Sequence, residues 1–121
     1  MQPTHAMLFY VKDPLASAAF YTKILGHGPL EQSPGFAMFA LNDKTIAGFW
    51  KREGVAPAAT VAGGASEIGF HVANSGEVDV RHAAWKAAGV PMIQEPTQMD
   101  FGYTFTAVDP DGHRVRVFAS S

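Results

Sequence analysis

The chain has 121 residues, 47% of them hydrophobic, which is enough for one compact domain with a buried core and too few for two independent ones. Its net charge of −2, without a run of like charge, gives no reason to expect nucleic acid or a membrane surface as a partner. Cysteine is absent, which excludes disulfides and thiolate metal sites, and with no signal-like or membrane-spanning segment we expect a cytoplasmic protein.

The first half of the chain has the pattern of a strand, a helix and further strands. Residues 5–12 alternate between two faces and predict a strand. Asp13 suits an N-cap, Pro14 the first helical position and Gly26 the position after the last turn, so a helix is predicted over residues 14–25. Further strands are predicted at 36–41 and 45–51, with a weakly indicated one near 29–32.

The second half repeats this order. A strand is predicted at 67–73, and a helix runs from Ser75 to Ala88 with Gly89 as its stop. The segment Asp109-Pro110-Asp111-Gly112 suits a type I turn. It joins two predicted strands at 102–108 and 113–119, and a further short strand is weakly indicated near 91–94.

The repeat predicts an α+β fold of two β-α-β-β-β units within a single domain, 1–121. The units cover residues 1–53 and 67–121, and an Ala- and Gly-rich connector spans 54–66, either as a mobile loop or as a flap over a pocket. One such unit leaves a sheet face uncovered by its helix. We therefore expect the units to pair, with curved mixed sheets enclosing a cavity and helices outside.

Two sets of residues in this repeated frame carry a resemblance to a known family. They are Tyr10-Val11-Lys12-Asp13-Pro14 with Ser17, Phe20-Tyr21 and Ile24-Leu25-Gly26, and much later Asp109-Pro110-Asp111-Gly112. The chain resembles, over essentially its whole length, the vicinal oxygen chelate superfamily. That group includes glyoxalase I, extradiol dioxygenases, fosfomycin-resistance enzymes and bleomycin-binding resistance proteins. The resemblance implies the two-unit fold, a small-molecule ligand and a homodimer.

Metal-dependent members of that superfamily take their ligands from the first and last strands of each unit. The matching positions here are Ala6, Ala47, Glu67 and Arg116. Alanine has no donor atom and a guanidinium is a permanent cation, so only Glu67 could bind a metal, and we expect no metal or other cofactor. His5 lies one residue before the ligand position, and it faces away from the site unless a β-bulge turns it inward.

If the family's strand order holds, Glu67 and Arg116 lie on neighbouring strands and form a cross-strand ion pair. The hypothesis is that this pair replaces the metal. It either fills space or holds the Arg116 fork toward an anionic or carbonyl-bearing ligand.

Around this pair the concave face is predicted to be largely apolar and aromatic, as in a small-molecule pocket. Trp50 and Trp85 are predicted on the helix side. The predicted pocket residues are Leu8, Tyr10, Phe49, His71 and Phe118, with Phe36 or Met38 and Tyr103 or Phe105 added according to register.

The leading functional interpretation is a metal-independent protein of the sequestration or resistance type that holds an aromatic or planar small molecule. Bleomycin itself is not favoured, because a net charge of −2 attracts a cationic glycopeptide only weakly. Two alternatives stay open, so the sequence does not decide whether the protein is an enzyme. One is a metal-dependent lyase or dioxygenase, and the other is metal-free catalysis with Glu67 or His71 as general base.

Overall fold

The computed structural model describes residues 3–61, 63 and 66–120, which form two compact units, Met1–Gly63 and Gly64–Ser121. No helix among these residues has the length and apolar character needed to cross a membrane. The first unit contains β1 (His5–Val11), α1 (Pro14–Leu25), β2 (Glu31–Gln32), β3 (Phe36–Ala40), β4 (Thr45–Lys51) and a 3-10 turn at Arg52–Gly54. The second contains β5 (Glu67–His71), α2 (Ser75–Ala87), β6 (Met92–Met99), β7 (Gly102–Val108) and β8 (Arg114–Ser120).

Each unit folds into one curved, four-stranded mixed sheet with a helix on one face. The strand orders are β1-β4-β3-β2 and β5-β8-β7-β6. The first and last strands of each unit pair in parallel, and the remaining pairs are antiparallel. A parallel pair needs a long crossover connection, and α1 and α2 supply its helical part. The predicted α+β fold of two β-α-β-β-β units is confirmed.

The helix ends follow the capping signals in the sequence. Asp13 caps α1 by accepting a hydrogen bond from the Leu15 amide at 3.0 Å, and Gly26 ends it in the left-handed region with φ +77°. Asn74 caps α2 by accepting from the Glu77 amide at 3.0 Å. The Glu77 carboxylate in turn accepts from the Ala73 amide at 2.8 Å, so two N-terminal donors are satisfied.

The core of the first unit lies between α1 and one face of its sheet, and it contains Phe49. This ring is fully buried and stacks on Tyr21 of α1 with 4.4 Å between centroids. The prediction that Phe49 lines a concave pocket is therefore wrong. In the parallel register Phe9 lies opposite Phe49, so both share the helix-side face that ends in buried Val11.

Trp50 follows Phe49 and so points to the opposite side of the sheet, away from α1. It lies opposite Tyr10 in the register, and the two rings meet edge to face with 6.3 Å between centroids. The prediction of Trp50 on the helix side is also wrong. Both errors have one cause, because matching Ala47 to Arg116 puts the residues of β4 one position out of phase with the observed register.

The core of the second unit lies between α2 and one face of its sheet. Trp85 is 4% exposed and packs edge to face on Phe105, with 5.2 Å between ring centroids, which confirms its predicted place in the core. Tyr103 lies two residues before Phe105 and shares its face, and its hydroxyl donates to Asp79 of α2 at 2.8 Å. Tyr103 therefore does not lie on the predicted pocket face, and neither does Phe105.

The turn between β7 and β8 forms around Asp109, as its sequence predicts. Asp109 is 5% exposed, and its carboxylate accepts hydrogen bonds from the backbone amides of Asp111 and His113, each at 2.9 Å. Its own amide donates to the His113 carbonyl at 2.8 Å, and Gly112 takes a φ of +86°. This arrangement fixes where β8 begins, and so fixes which β8 side chains face away from α2.

Candidate functional site

The candidate site lies on the face of the second sheet that points away from α2, here called the far face. Val115 and Val117 of β8 are fully buried, so the alternate residues of that strand point to the far face. The far-face positions are Glu67, Gly69 and His71 of β5, Thr104 and Thr106 of β7, and Arg114, Arg116 and Phe118 of β8.

The predicted ion pair between Glu67 and Arg116 is present on this face. Arg116 Nε donates to Glu67 Oε2 at 2.9 Å, and the two side chains are 17% and 40% exposed respectively. Arg116 Nη1 donates further to Gln94 Oε1 at 3.1 Å and to Thr104 Oγ1 at 3.3 Å. Its guanidinium carbon also lies 5.7 Å from the centre of the Phe101 ring, within the range of a cation–π contact. The arginine is therefore held on several sides.

Its polar partners are themselves fixed by further hydrogen bonds. Thr106 Oγ1 donates to Gln94 Oε1 at 2.9 Å, and Gln94 Nε2 donates to Met99 Sδ at 3.3 Å. Thr104 Oγ1 donates to the Val117 carbonyl at 2.8 Å. Arg116 thus sits in a network whose acceptors are already oriented, which lowers the entropic cost of holding it in place.

Sequence reasoning missed Gln94, Thr104 and Thr106. The two threonines alternate with Phe105, so strand periodicity could have placed them opposite the core. Gln94 carried no such signal, because β6 extends through Pro96 to Met99 and its pairing with β7 shifts register twice.

A row of rings adjoins the arginine, and we call Phe101, Phe118 and His71 the aromatic row. Phe101 meets Phe118 edge to face at 6.2 Å, and Phe118 meets His71 at 5.1 Å between ring centroids. His71 Nε2 is hydrogen-bonded to Ser120 Oγ across 3.1 Å. Phe101 is 46% exposed, so part of this row is accessible to a bound molecule.

Phe101 is held at this place by the tight hairpin between β6 and β7. Only Asp100 and Phe101 separate the two strands, and Gly102 follows with φ +149°. A Cβ atom at Gly102 would lie 1.9 Å from the carbonyl oxygen of Ala119, so only glycine lets β7 approach β8 so closely here.

A cleft of about 420 Å³ adjoins the arginine within the second unit. Its walls are partly apolar and partly cationic, so it offers a small molecule both apolar contact area and charged groups that can orient it. It is lined by Ile93, Gln94, Met99, Thr106, Arg114 and Arg116.

The first sheet presents a different surface on the face away from α1. Leu8 and Tyr10 lie there as predicted and are 49% and 40% exposed. Phe36 and Met38 share that face, because the alternating Ala37 and Phe39 are buried. A Cβ atom at Gly48 would lie 2.6 Å from Leu8 Cδ2 and 2.9 Å from Phe36 Cζ, so both side chains lie over this glycine. The surface they form is apolar.

The four positions that match metal ligands do not fit a divalent ion. Ala6 and Ala47 have no donor, and Ala47 is also buried on the helix side, so that Gly48 takes its place. Arg116 is a cation, and it binds one oxygen of Glu67. Within residues 3–61, 63 and 66–120, no three His, Cys, Asp or Glu side chains are grouped so that they could hold a metal.

His5 does not change this conclusion. It is exposed, its ring is hydrogen-bonded to Thr4, and β1 pairs with β4 in an unbroken register from His5 to Val11. No bulge turns its side chain toward the face of Ala6.

Comparison with known proteins agrees with the fold. The model of the Glyoxalase/Bleomycin resistance protein/Dioxygenase superfamily matches residues 3–117, so the chain belongs to this superfamily. It is 32% identical over 113 residues to the phenazine antibiotic resistance protein EhpR of Enterobacter agglomerans, covering 91% of this chain and 86% of that protein.

Solved structures show the same architecture. A solution NMR structure of a protein from Agrobacterium tumefaciens is 47% identical with a TM-score of 0.83, covering 100% of this chain and 98% of that one. A glyoxalase/bleomycin resistance protein/dioxygenase family enzyme from Burkholderia phytofirmans is 23% identical with a TM-score of 0.79, covering 96% and 97% of the two chains. This second likeness concerns the fold alone.

The network around Arg116 predicts unequal effects of two substitutions on stability. Arg116→Ala removes three hydrogen bonds, leaves Thr104 Oγ1 without its donor and leaves Glu67 without its ion-pair partner, so we expect the free energy of unfolding to fall by about 1–2 kcal/mol. Glu67→Gln keeps an oxygen that accepts from Arg116, and because Glu67 is partly solvated we expect a fall of about 0.5 kcal/mol or less. Urea unfolding followed by circular dichroism measures both, and equal losses would contradict this account of the network.

The contact between Tyr103 and Asp79 predicts a shifted titration. The hydrogen bond that the phenol donates to the Asp79 carboxylate raises the pKa of Tyr103 above its ordinary value, and desolvation and the charge of Asp79 act in the same direction. A raised pKa favours the folded state below the ordinary tyrosine pKa, and this contribution is lost as the pH rises through the shifted value. Following the Tyr103 ring signals by NMR, we expect Asp79→Asn to lower the midpoint, whereas an unchanged midpoint would exclude Asp79 as the cause.

Proposed function

We propose that this protein binds a planar aromatic small molecule on the far face of its second unit, without a metal ion, as a sequestration or resistance protein does. The observation that carries the proposal is the position of Arg116. At a place that matches a metal ligand in metal-dependent relatives, this chain holds a guanidinium whose charge is balanced by Glu67. A guanidinium has no lone pair to offer a metal ion, so the polar centre of the site is the arginine itself.

The aromatic row supports a flat ligand. Phe101 has an accessible ring surface and adjoins both Arg116 and Phe118. A planar ring system placed against it would gain apolar burial together with the favourable geometry of an aromatic pair. The guanidinium plane beside it also stacks on rings, so one end of the ligand would meet a cation.

The relative named above suggests the first compounds to test. EhpR is a phenazine antibiotic resistance protein, and phenazines are flat, fused aromatic molecules. At 32% identity over most of both chains, a shared class of ligand is a reasonable proposal for this protein.

Titration with phenazine tests the proposal. We expect saturable binding by isothermal titration calorimetry, unchanged by a chelator, and an affinity about three- to tenfold weaker in Phe101→Ala because an aromatic contact is lost. Val80→Ala is the matched control, since Val80 is an exposed apolar residue of α2 and lies away from the far face.

Two results would overturn the proposal. One is a stoichiometric divalent ion in protein purified without chelators, accompanied by loss of binding when that ion is removed. The other is a complete lack of saturable binding by phenazine and its derivatives.

The proposal includes a homodimer, which the family resemblance implies. Leu8 and Tyr10 remain substantially exposed on the first unit, and an apolar surface of this kind favours association. Light scattering at micromolar concentration should give about twice the 12.9 kDa mass of the chain, and a monomer alone would contradict this part of the proposal.

A further inference from the structure

We propose that the bound molecule is an aromatic acid, and that Arg114 binds its carboxylate at the cleft beside Arg116. This inference rests on the proposed function and specifies its ligand class. It is based on the charges around the cleft, on the contacts that Arg116 already makes, and on the apolar walls next to them.

The two arginines differ in how far their charges are already neutralised. Arg116 uses Nε for Glu67 and Nη1 for Gln94 and Thr104. Arg114 lies two residues earlier on β8, points to the same face and forms no ion pair or side-chain hydrogen bond with the part of the chain that the structure describes. The cleft therefore contains two cations and the single neutralising carboxylate of Glu67, which leaves it a net positive charge.

No other carboxylate of β6 removes this excess. Glu95 follows Gln94, and its side chain points to the helix side, where it pairs with His82 and lies 3.7 Å from the ammonium group of Lys86. The free guanidinium of Arg114 presents a planar fork of donors whose spacing matches the two oxygens of a carboxylate. An anionic group is thus the ligand chemistry that this side of the cleft can recognise.

The remaining walls suit the body of an aromatic acid. Ile93 and Met99 line the cleft and are 48% and 40% exposed. Met99 is oriented by the hydrogen bond from Gln94 to its sulfur, and thioethers make favourable contacts with ring edges. Since Arg116 both lines the cleft and contacts Phe101, a ring held there would reach from the carboxylate site toward the aromatic row.

A matched pair of ligands tests the inference. Phenazine-1-carboxylate and phenazine-1-carboxamide have nearly the same size and shape and differ in charge. We expect the wild-type protein to bind the carboxylate about tenfold more tightly than the amide, as measured by calorimetry at fixed ionic strength. Arg114→Gln should abolish this preference, mainly by weakening binding of the carboxylate about tenfold, and an unchanged circular dichroism spectrum and urea midpoint show that the variant is folded.

Arg81→Gln is the control, because Arg81 is an exposed arginine of α2 and its removal changes the net charge equally. Its preference for the carboxylate should equal that of the wild type. If the wild type binds both compounds equally, the inference fails and the proposed function stands. If Arg81→Gln loses the preference as well, the attraction is a general charge effect and Arg114 is not the binding residue. If neither these compounds nor phenazine binds, the proposed function fails and the inference fails with it.

Discussion

The arrangement of the second unit depends on the guanidinium of Arg116, which is largely removed from water and therefore needs an opposite charge and hydrogen-bond acceptors close by. Arg116 is 17% exposed, and a cation in such a place is costly unless its charge and its N–H groups find partners. Glu67 supplies the opposite charge from the parallel neighbour β5, and Thr104 supplies an oxygen from the antiparallel neighbour β7. Gln94 supplies the third acceptor from β6, which is two strands away from β8. The pairing of β6 with β7 shifts register on both sides of Gln94.

The same interaction separates this chain from metal-dependent members of its superfamily. A metal centre there would polarise an oxygen of the substrate or activate water, whereas a guanidinium fork can only donate hydrogen bonds and attract negative charge. A buried ion pair contributes little net stability compared with apolar residues of similar volume. Net stabilisation of the fold therefore does not by itself explain the pair.

Much of the fold could be predicted from the sequence because local signals agree with the tertiary structure. Asp13, Pro14 and Gly26 define α1 to the residue, and the Asp109 turn places β8. The Glu67–Arg116 pair followed from strand alternation once the family's strand order was assumed.

The wrong predictions concern residues for which the hydrophobic pattern of the strand does not indicate which face of the sheet the side chain points to. In β4 the residues from Ile46 to Trp50 are apolar on both faces, so only the pairing with β1 decides that Phe49 meets α1 and that Trp50 faces away. Tyr103 was misplaced for a related reason, since its ring fits either face and its hydrogen bond to Asp79 is a tertiary contact that no local pattern reveals.

Comparison of equivalent positions in the two units shows that both members of the pair are present in one unit and both are absent from the other. Leu8 lies three residues before Val11 and opposite Gly48, while Gly69 lies three residues before Val72 and opposite Arg116. Gly48 is thus the counterpart of Arg116, and Ala6 is the counterpart of Glu67. Both charged members are absent from the first unit together, and Leu8 and Phe36 cover the glycine instead. One member alone would be a poorly solvated charge without its partner, which costs far more than having neither. The repeated frame therefore accommodates either the complete pair or an apolar surface at this place, and in this chain the second unit has the polar version.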